Sequence, residues 1–214
     1  MNFDFSEEQL ALKEEARKFL AAKCPPDRVR KLMDEDSPGF DPELWAQVAE
    51  QGELGAAIPE EHGGLGLGYL ELCCISEQLG RAVAPVPFAS TVYFFAEALL
   101  RAGTPEQKAK YLPRVVTGEL IGTIASAEQA GAVCGYAAFP RLIVGKLTGV
   151  KMPVTDGVVA HHAVVLAKEG GKPTLYLVDL NGPGVTREAV ITIDRSREAA
   201  RVEFKDAPVE RLGE

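Results

Sequence analysis

The run Pro59-Glu60-Glu61-His62-Gly63-Gly64-Leu65-Gly66-Leu67-Gly68 is where this sequence comes nearest to a phosphate-binding signature, because closely spaced glycines let backbone N–H groups approach an anion. Its surroundings do not support that chemistry. The run follows helix-like sequence instead of a buried strand, and no Gly-Lys-Ser/Thr ending completes it, so neither a P-loop nor a dinucleotide fingerprint results. The expectation is a tight connector between two helical blocks. The cysteines Cys24, Cys73, Cys74 and Cys134 are too few and too scattered for a disulfide framework. Adjacent Cys73 and Cys74 are expected as small core hydrophobes, not as a redox pair or metal ligands. His62, His161 and His162 show no ligand spacing, and a strand would point the last two to opposite faces. Taken residue by residue, Ser126 and Thr155 read as ordinary strand hydroxyls and Lys151 as an exposed charge.

The elements that must hold these residues change character near Gly118. Ser6 with Gln9 forms a capping box, and Phe5 with Leu10 a hydrophobic staple, for a helix from about Glu7 to Ala22 whose apolar stripe is Leu12, Ala16, Phe19 and Leu20. A short helix over Arg28 to Met33 follows. Asp41-Pro42 caps another, with Leu44, Trp45 and Val48 on its buried face. Further helices are predicted over Tyr69 to Leu79, Phe88 to Leu100 and from the cap Thr104 through Val115. Beyond Gly118 the apolar period falls from 3.6 to 2. Strands are predicted over Leu120 to Ala127, Arg141 to Lys146, Ala160 to Ala167, Thr174 to Asp179 and Ala200 to Phe204. Lys146 to Thr155 reads as a strand broken by a turn at Thr148-Gly149. The expected architecture is α+β: an all-helical domain over 1–117, then a small antiparallel β-barrel or sandwich over 118–214.

The 214 residues are 46% apolar, and no stretch of about 18 uninterrupted apolar residues suggests a membrane span. The start, Met1-Asn2-Phe3-Asp4-Phe5, lacks an export-signal pattern, so a cytoplasmic location is the default expectation. A formal net charge of −8 argues against a nucleic-acid partner held through phosphates. Residues 1–117 carry 19 acids and 12 bases, whereas 118–214 carry 12 and 11, so the helical part is the acidic part.

Several pieces, taken in order, resemble the acyl-CoA dehydrogenase family over its first two domains. They are Phe5-Ser6-Glu7-Glu8-Gln9, the Gly55 to Gly66 segment with Pro59-Glu60 and Gly63-Gly64, and Gly103-Thr104-Pro105-Glu106-Gln107-Lys108 leading to Tyr111-Leu112-Pro113. Leu147-Thr148-Gly149-Val150-Lys151, then Val154 to Ala160 and Phe204 to Gly213, continue the match.

This resemblance implies α,β-dehydrogenation of an acyl-CoA thioester with FAD as the hydride acceptor and a glutamate as the base. The family's first flavin-facing motif, Thr-Glu-Pro then Gly-Ser, falls on Ser126-Ala127-Glu128 and Gly131-Ala132. It implies a flavin contact from Ser126, with backbone groups of Thr123 and Ala125 beside it. Ala132 stands where the usual serine would meet cofactor or substrate. The second motif, Trp-Ile-Thr-Asn, falls on Pro153-Val154-Thr155-Asp156, so Thr155 keeps a hydroxyl while Pro153 replaces the aromatic face. Ala84 to Phe88 and the helix after it resemble the lining of the acyl pocket. The family's third domain, a C-terminal helical bundle that carries the catalytic glutamate, has no counterpart in these residues, and the resemblance assigns no catalytic residue here. Three arrangements follow as expectations: part of a complete dehydrogenase, a short subunit of a heteromer with a related subunit, or a non-enzymatic scaffold. The resemblance also implies a homo-oligomer or related subunit and an electron-transfer flavoprotein as partners, and an isolated chain with little or no activity.

Overall fold

The computed structural model describes residues 4–34, 39–128, 141–143 and 145–213. Helices come first. In α1 (Glu7–Lys23), Ser6 Oγ accepts from the Gln9 N–H at 3.2 Å and Gln9 Oε1 accepts from the Ser6 N–H at 3.0 Å, so the expected capping box is present. Ala16 and Leu20 are buried, whereas Phe5 and Leu10 stay exposed. α2 (Pro26–Asp34) starts earlier than the sequence suggested, because proline at the first helical turn loses no bonded N–H. Asp41 caps α3 (Pro42–Glu50) by accepting from the Leu44 N–H at 2.9 Å, and Arg28 grips the same carboxylate. Burial pushes the Asp41 carboxyl up, but Arg28 and the capping N–H outweigh it and hold it below the usual carboxylate range. Trp45 lies in the core and donates to the Gly118 carbonyl at 2.8 Å.

Between α3 and α4 (Tyr69–Arg81) the glycine run folds back along its own chain. The N–H groups of Leu65, Gly66 and Leu67 donate to the carbonyls of Gly55, Ile58 and Ala56 at 2.8–2.9 Å, and those of Gly63 and Gly64 to Glu60 and Pro59. These donors are consumed internally, which is why the run acts as a connector and not a phosphate cradle. A Cβ at Gly64 would fall 2.0 Å from the Ile58 carbonyl oxygen, whereas one at Gly63 would meet nothing within 4 Å.

Of the two adjacent cysteines only Cys74 is buried; Cys73 is exposed. Neighbours on a helix project in different directions, so the expectation that both are core fails for Cys73. Cys134 lies outside the described residues. The apolar stretch after Pro87 winds as a wide π-type helix over Ala89–Ala96 and tightens into α5 (Glu97–Ala102). Thr104 and Gln107 form the expected capping box of α6 (Pro105–Val116).

The strands are β1 (Gly122–Ala125), β2 (Arg141–Ile143), β3 (Lys146–Thr155), β4 (His162–Glu169), β5 (Lys172–Asp179), β6 (Val185–Val190), β7 (Ala199–Pro208) and β8 (Glu210–Arg211). They form one sheet ordered β6-β7-β3-β2-β4-β5-β8, with β1 paired parallel to β4. Among the described residues the sheet is rich in antiparallel pairs and does not close into a barrel. Thr148-Gly149 is a bulge within a continuous β3, not a turn. β6 escaped sequence reading because none of its residues is buried and its three apolar residues do not alternate with the polar ones. Both apolar clusters cross from helices to sheet: Leu20, Trp45 and Leu72 belong with Val202 and Phe204, and Phe95 and Leu112 with Val164 and Leu177.

One buried group opposes this packing. Glu53 is 5% exposed, its Oε2 has no partner, and burial raises its pKa to about 7. A carboxyl whose folded pKa is raised favours the fold while both states are protonated and loses that advantage as pH climbs from the ordinary value of 4.5 to about 7. Stability to urea is expected to fall by on the order of 3 kcal/mol across that window, and Glu53→Gln to flatten the profile. Gly64→Ala should cost at least about 2 kcal/mol through its clash with Ile58. Gly63→Ala should cost only the left-handed backbone strain, about 1–2 kcal/mol, both read by chemical denaturation.

Candidate cofactor-facing site

The end of β1 and the second half of β3 meet because β3 is irregular there. The register of β3 against β7 slips between Lys151 and Val154, and within that slip the Met152 N–H donates to the Ala127 carbonyl at 2.9 Å. One turn of the pleat later, Thr123 Oγ1 donates to the Thr155 carbonyl at 2.7 Å. These bonds set Thr123, Ala125 and Ser126 beside Pro153 and Thr155, the residues that the sequence motifs single out. Their roles divide by exposure. Thr123 and Ala125 are buried, and the Thr123 hydroxyl is spent on Thr155. Ser126 is half-buried, and Pro153 and Thr155 are exposed. Ala132 lies outside the described residues.

Beneath this surface sits Lys151, fully buried where the sequence suggested an exposed charge. Its Nζ donates to the Ser126 carbonyl at 2.9 Å and to Glu128 Oε1 at 2.5 Å. The correction has a clear cause. Lys151 falls on the inward side of β3, and a buried ammonium is tolerated only with a carboxylate and acceptors around it. Glu128, 10% exposed at its side chain, supplies that carboxylate.

Asp156 closes the other end. It is 3% exposed with φ +55°, accepts from Ser90 Oγ at 2.5 Å and from the Arg197 guanidinium, and donates its N–H to the Glu198 carbonyl at 2.8 Å. It thus ties the π-type helix, β3 and the β6–β7 connection together. The residue-level reading missed both Lys151 and Asp156. Asp156-Gly157 did carry a signal, since aspartate is among the few side chains that tolerate a left-handed backbone. Beside this clamp lies a cavity of about 280 Å³ walled by Leu79, Val86, Phe88, Tyr93 and Arg197, which includes part of the segment expected to line an acyl pocket.

The histidines stand apart from this surface. His161 Nδ1 accepts from the Ile121 N–H at 3.0 Å, and His162 packs against the Tyr111 ring at 5.3 Å. Burial, followed by nearby arginines, lowers the pKa of His161, and burial lowers that of His162. Among the described residues no group of three His, Cys, Asp or Glu side chains is placed to hold a metal ion.

Residues 6–119 match the family model "Acyl-CoA dehydrogenase, N-terminal domain". The chain belongs to the acyl-CoA dehydrogenase family. It is 34% identical over 179 residues to acyl-CoA dehydrogenase FadE27 of Mycobacterium tuberculosis, covering 80% of this chain and 45% of that protein. It is 36% identical over 174 residues to the mitochondrial isovaleryl-CoA dehydrogenase of Arabidopsis thaliana, covering 78% and 42%. Among solved structures, the ChsE4–ChsE5 complex of Mycobacterium tuberculosis superposes with a TM-score of 0.88 at 31% identity, covering 100% of this chain and 58% of that one. The chain therefore spans a little under half the length of the curated relatives it matches.

The Lys151–Glu128 pair gives this family member a direct test. Lys151→Met strands the Glu128 carboxylate and is expected to destabilise the chain by about 3–5 kcal/mol. The double replacement Lys151→Met with Glu128→Leu should recover most of that loss, because it removes both charges together. Urea denaturation followed by circular dichroism measures both.

Proposed function

We propose that this chain forms part of an FAD-dependent acyl-CoA dehydrogenase that removes hydrogens from Cα and Cβ of an acyl-CoA thioester. The observation that carries the reading is the joining of β1 and the residues after it to β3, by Thr123 to the Thr155 carbonyl and by Met152 to the Ala127 carbonyl, with Thr155 and Pro153 open on the surface and Ser126 half-open. Two hydroxyls and adjacent strand backbone suit the polar edge of a flavin ring, and the flat face of Pro153 offers an apolar platform. The residues present fit the group. When bound, FAD supplies hydride acceptance from Cβ, while this chain's residues bind and orient it.

Ser126 and Thr155 serve as flavin contacts, Thr123 and Ala125 fix the strand beside them, and Ala132, by its motif position alone, takes the place near substrate or cofactor without a hydroxyl. The cavity bounded by Val86, Phe88 and Tyr93 forms one wall of the acyl compartment. No carboxylate here takes the α proton: Glu128 is held by Lys151 and Glu119 by Arg114 at 2.7 Å. The base belongs to a further helical domain, on this polypeptide or on a related subunit. A homo-oligomer and an electron-transfer flavoprotein complete the expected partners, and the compartment is proposed to be cytoplasmic.

Pro153, in place of a large aromatic, favours a second reading in which the chain is the flavin-poor subunit of a heteromer. The likeness to one chain of the ChsE4–ChsE5 complex supports it.

The native assembly, containing a helical bundle on this polypeptide or on a co-purified subunit, should show flavin absorbance and acyl-CoA-dependent dye reduction. Absence of both from the native assembly would sink the proposal in favour of a scaffold. In an active assembly, Thr155→Val and Ser126→Ala should each weaken FAD retention by about tenfold, as expected for a lost hydrogen bond in a sealed site, measured by flavin release on dilution.

A further inference from the structure

Two cavities lie along the groove between α4 and the π-type helix. The one assigned above to the acyl compartment, about 280 Å³, is walled on the α4 side by Ser76 and Leu79 and on the other by Val86 and Phe88. It begins at the Asp156 clamp, because Arg197, which grips that carboxylate, belongs to its wall. The second, about 220 Å³, is walled by Leu72 of α4 and by Ile58, Ala96 and Leu100, which suit a hydrocarbon chain. Tyr69, Glu97 and Arg101, joined by hydrogen bonds, form its polar end. Among the described residues Tyr93 alone lines both cavities.

The Tyr93 side chain is fixed in that place. Ser76 Oγ donates to the Leu72 carbonyl at 2.7 Å, so its one proton is spent, and the Tyr93 hydroxyl donates to Ser76 Oγ. Burial pushes the Tyr93 phenol pKa up, which keeps the proton in that bond. The ring meets Phe88 edge-on, with centroids 5.5 Å apart and planes at 73°. A bond from the π-type helix to α4 therefore spans the groove where the two cavities meet. A chain passing from the first cavity to the second has to break that bond and the aromatic contact. We propose that Tyr93 sets the acyl-chain length: the compartment beside the clamp takes a short acyl chain, and the ring, latched by Ser76, keeps longer chains out of the cavity beyond. This inference rests on the acyl-CoA reading above.

The test compares kcat/KM for butanoyl-, octanoyl- and hexadecanoyl-CoA in the native flavin-containing assembly that carries this chain. The unaltered assembly is expected to favour butanoyl- over hexadecanoyl-CoA. Tyr93→Ala should raise the hexadecanoyl-to-butanoyl ratio at least about tenfold, the least that one methylene gains in an apolar pocket. Ser76→Ala and Tyr93→Phe each keep the ring and break the latch, and should raise the ratio by about two- to tenfold. Ala57 lines the second cavity, so Ala57→Leu added to Tyr93→Ala should cancel the gain, which a merely loosened fold would not do. A preference for hexadecanoyl-CoA in the unaltered assembly, an unchanged ratio in Tyr93→Ala, or a gain that survives Ala57→Leu overturns the inference and leaves the acyl-CoA reading standing. Where Tyr93→Ala does not assemble, the two latch variants decide, and no gain in either overturns the inference. An assembly free of flavin and inert toward all three thioesters overturns the acyl-CoA reading itself, and this inference with it.

Discussion

A lysine ammonium sealed from water fixes much of what surrounds it. Lys151 points inward from β3, and its charge is tolerable only because the Ser126 carbonyl and the Glu128 carboxylate come to it. That requirement pulls the segment after β1 against β3, and the bulge that aims Lys151 inward also frees the Met152 N–H to bond Ala127. The candidate cofactor-facing surface is thus the outer side of a junction whose inner side is an ion pair. The side chains of Thr155 and Pro153 stay outside, while the Thr155 carbonyl is held within by the Thr123 hydroxyl.

Asp156 extends the same logic to the helices. A carboxylate that accepts from Ser90 and Arg197 ties one helix, one strand and one connection into a single arrangement, and its left-handed backbone makes the turn out of β3 abrupt. Around it the apolar clusters run from helix to sheet without a break, so Phe95 and Leu112 of the helices pack with Val164 and Leu177 of the sheet. The helical and β parts are joined by a common interior as well as by sequence.

The helices were legible because their ends are written locally. Ser6 with Gln9, Asp41 with Leu44 and Thr104 with Gln107 each satisfy helix N-terminal donors over three residues, a distance at which sequence alone suffices. The glycine run was legible as a connector for a related reason, since the phosphate signatures need neighbours that it lacks. What escaped reading depends on distant partners. Lys151 is buried only because Glu128 is folded back 23 residues away, and β6 is a strand because β7 pairs with it, not because its polar residues alternate. The open form of the sheet was equally unreadable, because strand spacing does not say whether the last strand returns to the first. The proposed flavin contacts were reached through family motifs, and without those Ser126 and Thr155 are plain hydroxyls.

Among the described residues β6 pairs on one side only, with β7, and stands at the end of the sheet. Its other side presents a row of backbone donors and acceptors, and just beyond it Ile191 and Ile193 project fully into solvent. A strand open on one side and followed by bare isoleucines is a template for other chains, so this border bears on the colloidal behaviour of the molecule. Arg187 reaches back to the carbonyls of Val158 and Ala160 at 2.9 Å, which turns one charge inward and leaves Glu188 and the twist of the strand to discourage stacking. How concentrated a solution the chain tolerates therefore depends on this margin, whose Val190 is separated from Thr155 by a single intervening residue of β7, Ala199.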